Sequence, residues 1–485
     1  MCANKSLSKN IDDNINELVS KFKECPDVIN KKLILKDGRK GCFFYLKGFI
    51  NIDLIQRDFV KPMLSMDIEN IPDKEILDYL PLLDTSLEYD IDATVKSVLN
   101  GKIIFLMDKL NYVIICGLID AEKRSITEPE NEKNVRGPHE GFIESLDTNI
   151  AMLRRKIKNE NLKFNTITLG NETKQTVAVA YIDGIANPKL LSTLINKISK
   201  INTDGLLAIG YIEQYITDSP NSPFPQYLAT ERADKVVSSL LEGRLVILMD
   251  GTPFALIAPV SFWSFIQALD DYSTKWMLGS FIRYIRIISV VISMTLPALY
   301  ISATAFQYYL VPLNLLIPLA ISRTEVAFPP VVEALTMEFT IEIIREASIR
   351  LPTYISTTIG VAGGIIIGQA AVNAGIVSSL FIIVVAVTAM ASYVIPVYDF
   401  GLALRLVRFL FLMFASFFGI IGVLVGSVFI ISHLLSLESL GQPYFSPIIP
   451  FKKDDIKDTV VRAPLSFMKI RPHISLPLKK KRGGK

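Results

Sequence analysis

Between Leu351 and Tyr398 no side chain carries a charge, yet Gln369 and Asn373 stand four residues apart there, on one face of any helix. Thr358, Ala362 and Ile365 extend that face toward the N-terminus, while Gly360, Gly364 and Gly368, continued by Ala371 and Gly375, form a stripe of small residues opposite. Amides in hydrocarbon are costly unless they bond to protein or face water. Two uses follow: hydrogen bonds between packed helices, or the wall of an aqueous path enclosed by several copies of the chain. Small residues let a neighbouring helix approach closely, and Ile365 is suited to closing such a path by dewetting.

A second set of chemically capable residues is Glu338, Glu342 and Glu346, spaced by four on one helix stripe, with Arg345 and Arg350 placed to offset their repulsion. They read either as a solvated face or as a cation vestibule at a channel mouth. Enzymatic chemistry is harder to find. Asp108 and Asp250 each follow a Met at the end of an apolar run, where a carboxylate satisfies turn N–H groups. With only His139, His433 and His473 available, no nucleophile, base and orienting group assemble, so no catalytic residue is expected. Cys2, Cys25, Cys42 and Cys116 form no close pair, which argues against a disulfide framework, a zinc site or any other metal centre. No cofactor motif is present, and a net charge of +3 on 485 residues gives no global field for nucleic acid.

These residues need a membrane to act in. Up to about Trp276 charges recur every few residues, whereas charge-poor runs dominate from Ile287 to Leu435. Four spans are expected, at about 287–306, 354–373, 376–398 and 406–432, in a membrane domain of residues 269–435. Eleven Lys and Arg follow Leu435, so residues 436–485 read as a basic cytoplasmic tail, with the soluble N-terminal region on the same side. Asp270, Asp271, Arg283 and Arg286 lie where the soluble region joins the first span, the physical route for coupling the two, or an interfacial anchor.

The soluble part repeats itself. "KSVLNGKIIFLMDKLNYVIICGLI" (96–119) aligns without a gap with "SSLLEGRLVILMDGTPFALIAPVS" (238–261), and "YLKGFINIDLI" (45–55) with "YIDGIANPKLL" (181–191). The fold class is therefore an α/β soluble N-terminal region of two repeated small α/β domains plus an α-helical transmembrane C-terminal domain. The copies are placed at 41–122 and 176–268, after an N-terminal extension of 1–40 and around a connecting loop and amphipathic helix at 123–175. In that connection Arg136, Arg154 and Arg155 are candidates for contacts between domains or subunits, with Arg136 also near a helix N-terminus that can hold an anion.

"EPENEKNVRGPHEGFIESLDTNIAMLRRKI", "LMDGTPFALIAPVSFWSFIQALDDY", "EIIREASIRLP", "GVAGGIIIGQAAVNAGIVSS" and "SLESLGQPYFSPIIPF" occur in this order. By these pieces the chain resembles the A subunit of the GerA-type spore germinant receptors over nearly its whole length from about residue 40. It departs from the family pattern after Tyr272, where a second tyrosine is expected, and at Leu440, where an aromatic is usual. The resemblance implies a multi-pass protein of the spore inner membrane working with a transporter-like B subunit and a lipoprotein C subunit. It also implies A subunits that homo-oligomerise, among membrane lipids, into a nutrient-gated channel releasing monovalent cations, and it favours the aqueous path over plain packing. Competing readings are a single-chain transporter, a non-conducting scaffold, and the related A-like protein of the dipicolinate channel operon.

Overall fold

The computed structural model describes residues 6–50, 52–65, 77, 82, 84–117, 129, 132, 136–352, 364 and 366–483. The chain forms two compact units, one of Met1–Thr217, Tyr227–Val260 and Lys469–Lys485, the other of Asp218–Gln226 and Ser261–Met468.

The first unit holds α1 (Ile11–Lys21), β1 (Val28–Ile34), β2 (Lys40–Leu46), β3 (Thr85–Glu88), α2 (Ile91–Leu99), β4 (Ile103–Met107) and β5 (Val113–Cys116). These are followed by α3 (Leu146–Lys156), β6 (Leu162–Leu169), β7 (Gln175–Ile182), α4 (Pro188–Ser199), α5 (Ile209–Ile216), β8 (Leu228–Thr230), α6 (Ala233–Leu241), β9 (Leu245–Met249) and β10 (Ala255–Ala258). The strands form two antiparallel five-stranded sheets of the same topology, β1-β2-β4-β5-β3 and β6-β7-β9-β10-β8. β4 reads IIFLM with every residue buried because both faces of its sheet are covered. Cys42, Phe44, Ile104 and Leu106 face α1 and α2. Phe43, Ile103, Phe105 and Met107 point the other way, into a core with Phe59 and Met63 of the helical stretch 52–65.

The shared glycines of the repeat have one backbone reason. Gly101 and Gly243 follow α2 and α6 with φ of +84° and +86°, and a Cβ at Gly101 would lie 2.4 Å from the Phe49 ring. The repeated unit also begins earlier than the aligned sequence blocks. Asn14 of α1 exchanges hydrogen bonds with the backbone of Ser8, and Asn149 of α3 does the same with Ile143. The stretch read from sequence as an extension thus supplies α1 and β1 of the first copy, and the connecting helix is α3 of the second. The sequence agrees there, since Asp12, Asn14, Ile15, Leu18 and Lys21 of α1 stand where α3 has Asp147, Asn149, Ile150, Leu153 and Lys156.

The second unit is helical, so the α/β region and helical C-terminal region expected from the sequence are both present. α7 (Trp276–Ile301) runs on as a wider turn to Phe306, followed by α8 (Leu313–Arg323), α9 (Pro330–Arg350), a helical stretch at 366–373, α10 (Ser379–Tyr393) and α11 (Tyr398–Ser436). Trp276–Phe306 and Tyr398–Ser436 are long and apolar enough to cross a membrane, while α8 and α10 are apolar but shorter. α7 packs on α10 and α11. α11 breaks at Gly419, where φ is +59° and ψ is −136°. After α11, Tyr444 is buried in an aromatic cluster with Phe262, Phe265 and Phe400.

Residues 436–485 do not act as one free tail. Up to Met468 they belong to the helical unit, whereas the segment from Lys469 lies on the second α/β copy. Arg471 Nε donates to the Leu241 carbonyl at 2.7 Å and Ser475 Oγ to the Glu242 carbonyl at 2.6 Å, filling acceptors at the end of α6. Leu478 N–H donates to the Ile185 carbonyl at 2.9 Å.

Candidate functional site

Pro297 sits inside α7 and has no backbone N–H, so the carbonyl of Ser293, four residues earlier, loses its intrahelical donor. Arg408 of α11 replaces it, with Nε donating to the Ser293 oxygen at 2.8 Å. Its Nη1 donates to the Glu338 carboxylate of α9. Ser293 and Glu338 are 0% exposed and Arg408 1%, so one guanidinium joins three helices in a dry interior.

Every glutamate of α9 has an arginine partner. Glu333 pairs with Arg323 at 2.9 Å and accepts the Ser378 N–H at 2.6 Å. Glu342 pairs with Arg345 at 3.2 Å and with Arg405 of α11 at 3.1 Å. Glu346 pairs with Arg350, both exposed. Ser378 Oγ also lies 2.8 Å from the Tyr300 hydroxyl of α7. The stripe of Glu338, Glu342 and Glu346, read as a possible cation vestibule, therefore carries paired charges in three environments. Glu338 is buried, Glu342 half-buried and Glu346 exposed.

A further cluster surrounds the start of α7. Asp271 is buried between Arg286, at 2.8 Å, and Arg283, at 3.2 Å. Arg283 also reaches Asp458 at 2.9 Å, whose other oxygen accepts the Tyr272 hydroxyl at 2.7 Å. Arg462 lies over the Tyr272 ring, 5.6 Å from its centroid. Asp271, Arg283 and Arg286 are thus brought together as sequence spacing places them, with Asp458 supplied from far along the chain. Asp270 stands beside this cluster, half-buried.

The amide face divides. Thr358, Ala362, Ile365 and Gly360 lie outside the described residues. Gln369 and Asn373 are exposed on 366–373. Among the described residues nothing lies within 4 Å of a Cβ added at Gly364, and only Ile382, at 3.9 Å, near one added at Gly368. Ala371 is buried, and Gly375 turns the chain with φ of +64°, its missing Cβ leaving room for the Glu325 carbonyl.

In the α/β unit Arg154 is buried. It forms a two-pronged pair with Asp27 of the first copy, at 2.7 and 3.1 Å, and stacks over Phe164. Arg136 is exposed and Arg155 half-buried. Asp250 accepts the Leu146 N–H at 3.0 Å, a bond to the start of α3 from 104 positions away that the turn reading does not give. Among the described residues no group of His, Cys, Asp and Glu is arranged to hold a metal ion.

The reading from sequence missed Arg405 and Arg408. A signal was present, since charges inside the last apolar span are expensive and must find partners. Pro297 likewise announced a freed carbonyl four residues upstream.

A family model described as Bacillus/Clostridium GerA spore germination protein matches residues 16–474. The chain is 40% identical over 472 residues to spore germination protein B1 of Bacillus subtilis (strain 168), covering 96% of this chain and 97% of that protein. It is 37% identical over 470 residues to the uncharacterized membrane protein YfkQ of the same organism, covering 96% and 92%. The solved N-terminal domain of the A subunit of the Bacillus megaterium spore germinant receptor GerK3 matches at 28% identity with a TM-score of 0.43, covering 54% of this chain and 98% of that one.

Proposed function

Because this chain belongs to the Bacillus/Clostridium GerA family of spore germination proteins, we propose that it is the membrane subunit of a germinant receptor, several copies of which enclose a cation path. Its partners in this reading are a transporter-like B subunit and a lipoprotein C subunit in the spore inner membrane. No catalytic step is assigned to it.

The observation that carries the oligomeric path is the exposure of Gln369 and Asn373 beside Gly364 and Gly368 in a segment without charge. Amides on an apolar helix need protein or water. Neighbouring copies supply both, since small residues permit close helix contact and the amides then face the enclosed space. The pairing of Glu333, Glu338 and Glu342 with arginines supports the same view, because it neutralises the carboxylates packed inside the helical unit and leaves the amide face as an uncharged polar surface. Such a wall passes ions without binding them tightly.

The test is potassium efflux from liposomes holding the full chain with its B and C subunits, alongside the copy number per particle by native mass spectrometry. Germinant-triggered efflux from particles with several copies is expected. Monomeric particles, or oligomers that never conduct, would leave the scaffold reading standing.

A further inference from the structure

We propose that Arg408 is the positioning residue of the helical unit, clamping α7, α9 and α11 at the carbonyl that Pro297 leaves free and so holding the ion path shut. The clamp is read from geometry alone. Its link to ion flow rests on the channel reading above.

Three facts carry the clamp. Proline removes the one N–H that would occupy the Ser293 carbonyl, so that oxygen is free to be claimed from outside the helix. Arg408 claims it at 2.8 Å with Nε while Nη1 holds Glu338, and the planar guanidinium fork serves the two acceptors from separate nitrogens held in fixed directions. The three residues are buried to within 1% of completeness, so water does not compete for these bonds.

The network is also incomplete. Among the described residues, Glu338 Oε1 and Arg408 Nη2 are buried and have no hydrogen-bond partner. A saturated network would be a fixed strut, whereas one with an orphan on each side is held less firmly and is easier to release. The proline matters for the same reason: a helix that lacks the hydrogen bond to the Ser293 carbonyl bends there at little cost once the outside donor leaves.

The test uses the full chain in potassium-loaded liposomes, with Cys2→Ser to remove the N-terminal thiol and spin labels at Val291 of α7 and Phe339 of α9, both exposed. Two readouts are taken, the label-to-label distance distribution and the potassium leak. Arg408→Gln should broaden the distance distribution and raise resting leak by about a hundredfold, the shift expected in a two-state equilibrium when a buried ion pair loses one partner. Pro297→Ala returns an N–H that competes with Arg408 for the Ser293 carbonyl, so it should shift the distance by itself, and in that background Arg408→Gln should add less than it does alone. A distance distribution unchanged by Arg408→Gln overturns the clamp whatever the leak does. Should that variant fail to fold, an unchanged distance in Pro297→Ala, a substitution that favours the helix, overturns it equally. A distance that moves while no protein conducts, with germinant and partner subunits present, upholds the clamp and defeats the channel reading instead.

Discussion

The side-chain oxygen of Gln307 accepts the backbone N–H of Ile420 at 3.0 Å, one residue beyond the break at Gly419. Two backbone groups that lose their helical partners in the helical unit are thus handled in the same way. Pro297 frees a carbonyl that Arg408 fills, and Gly419 frees an N–H that Gln307 fills. Without water as an alternative partner, a broken helix needs a side chain from elsewhere.

Gly419→Ala should destabilise the membrane unit. Its φ of +59° with ψ of −136° suits only glycine, and a Cβ would lie 2.4 Å from Gln307 Oε1. A loss of about 1–3 kcal/mol is expected from the backbone alone. Scanning fluorimetry of the detergent-solubilised chain checks it. Gln307→Ala should lower the melting temperature too, by orphaning the Ile420 N–H.

Arg154→Met should cost the α/β unit about 3–5 kcal/mol, because it leaves Asp27 charged and buried. Pairing it with Asp27→Leu should recover most of that loss. Denaturant titration of the single and double variants, read as a cycle, decides the matter.

Burial in the first sheet pushes the Cys42 thiol up to about 11. Unfolded, it ionises near its ordinary value of about 8.5. The buried neutral thiol therefore favours the folded state fully below the unfolded value, and this contribution is lost as pH rises through the folded one. The α/β unit should weaken between those limits, and Cys42→Ala should flatten that part of the pH profile of unfolding.

Removing the chain beyond Met468 should uncover the Leu241 and Glu242 carbonyls at the end of α6. Hydrogen exchange should quicken in 236–243 and around Ile185 while the first copy stays unchanged. Arg471→Ala should give the milder form of the same pattern, on the order of 0.5–1 kcal/mol of local protection.

Gly364→Leu should leave the protomer folded, since no described residue stands within 4 Å of the added Cβ. It should block assembly, because a large side chain there prevents close helix approach. Native mass spectrometry showing wild-type copy number in this variant would remove the stripe from the interface.

Much of this was legible beforehand. The Gly101 and Gly243 blocks announced the duplication because positive φ at a helix end restricts the residue type. Asp250 announced its turn for a similar reason. The earlier start of the repeat carries a weaker signal, since Asn14 and Asn149 stand in the matching stretches IDDNINEL and LDTNIAML, which are too short to stand out without the hydrogen-bond pattern they share. The docking of the last segment was hidden as well, because a run such as Lys479 to Arg482 looks like a solvated tail and the carbonyls that hold its surroundings carry no sequence signature.

By itself the sequence determined that the chain has a duplicated α/β region, a charge-poor helical region and a place in the GerA family, since periodicity, hydropathy and local turn chemistry are properties of neighbouring residues. Only the tertiary structure decided which charge meets which. Glu338 looked like one of three equivalent carboxylates until packing buried it against Arg408, seventy positions away, and left Glu346 in solvent. A helical period says which residues share a face; what lies opposite that face depends on how separate helices pack, and that choice fixes burial, and with it the strength of every charge on the face.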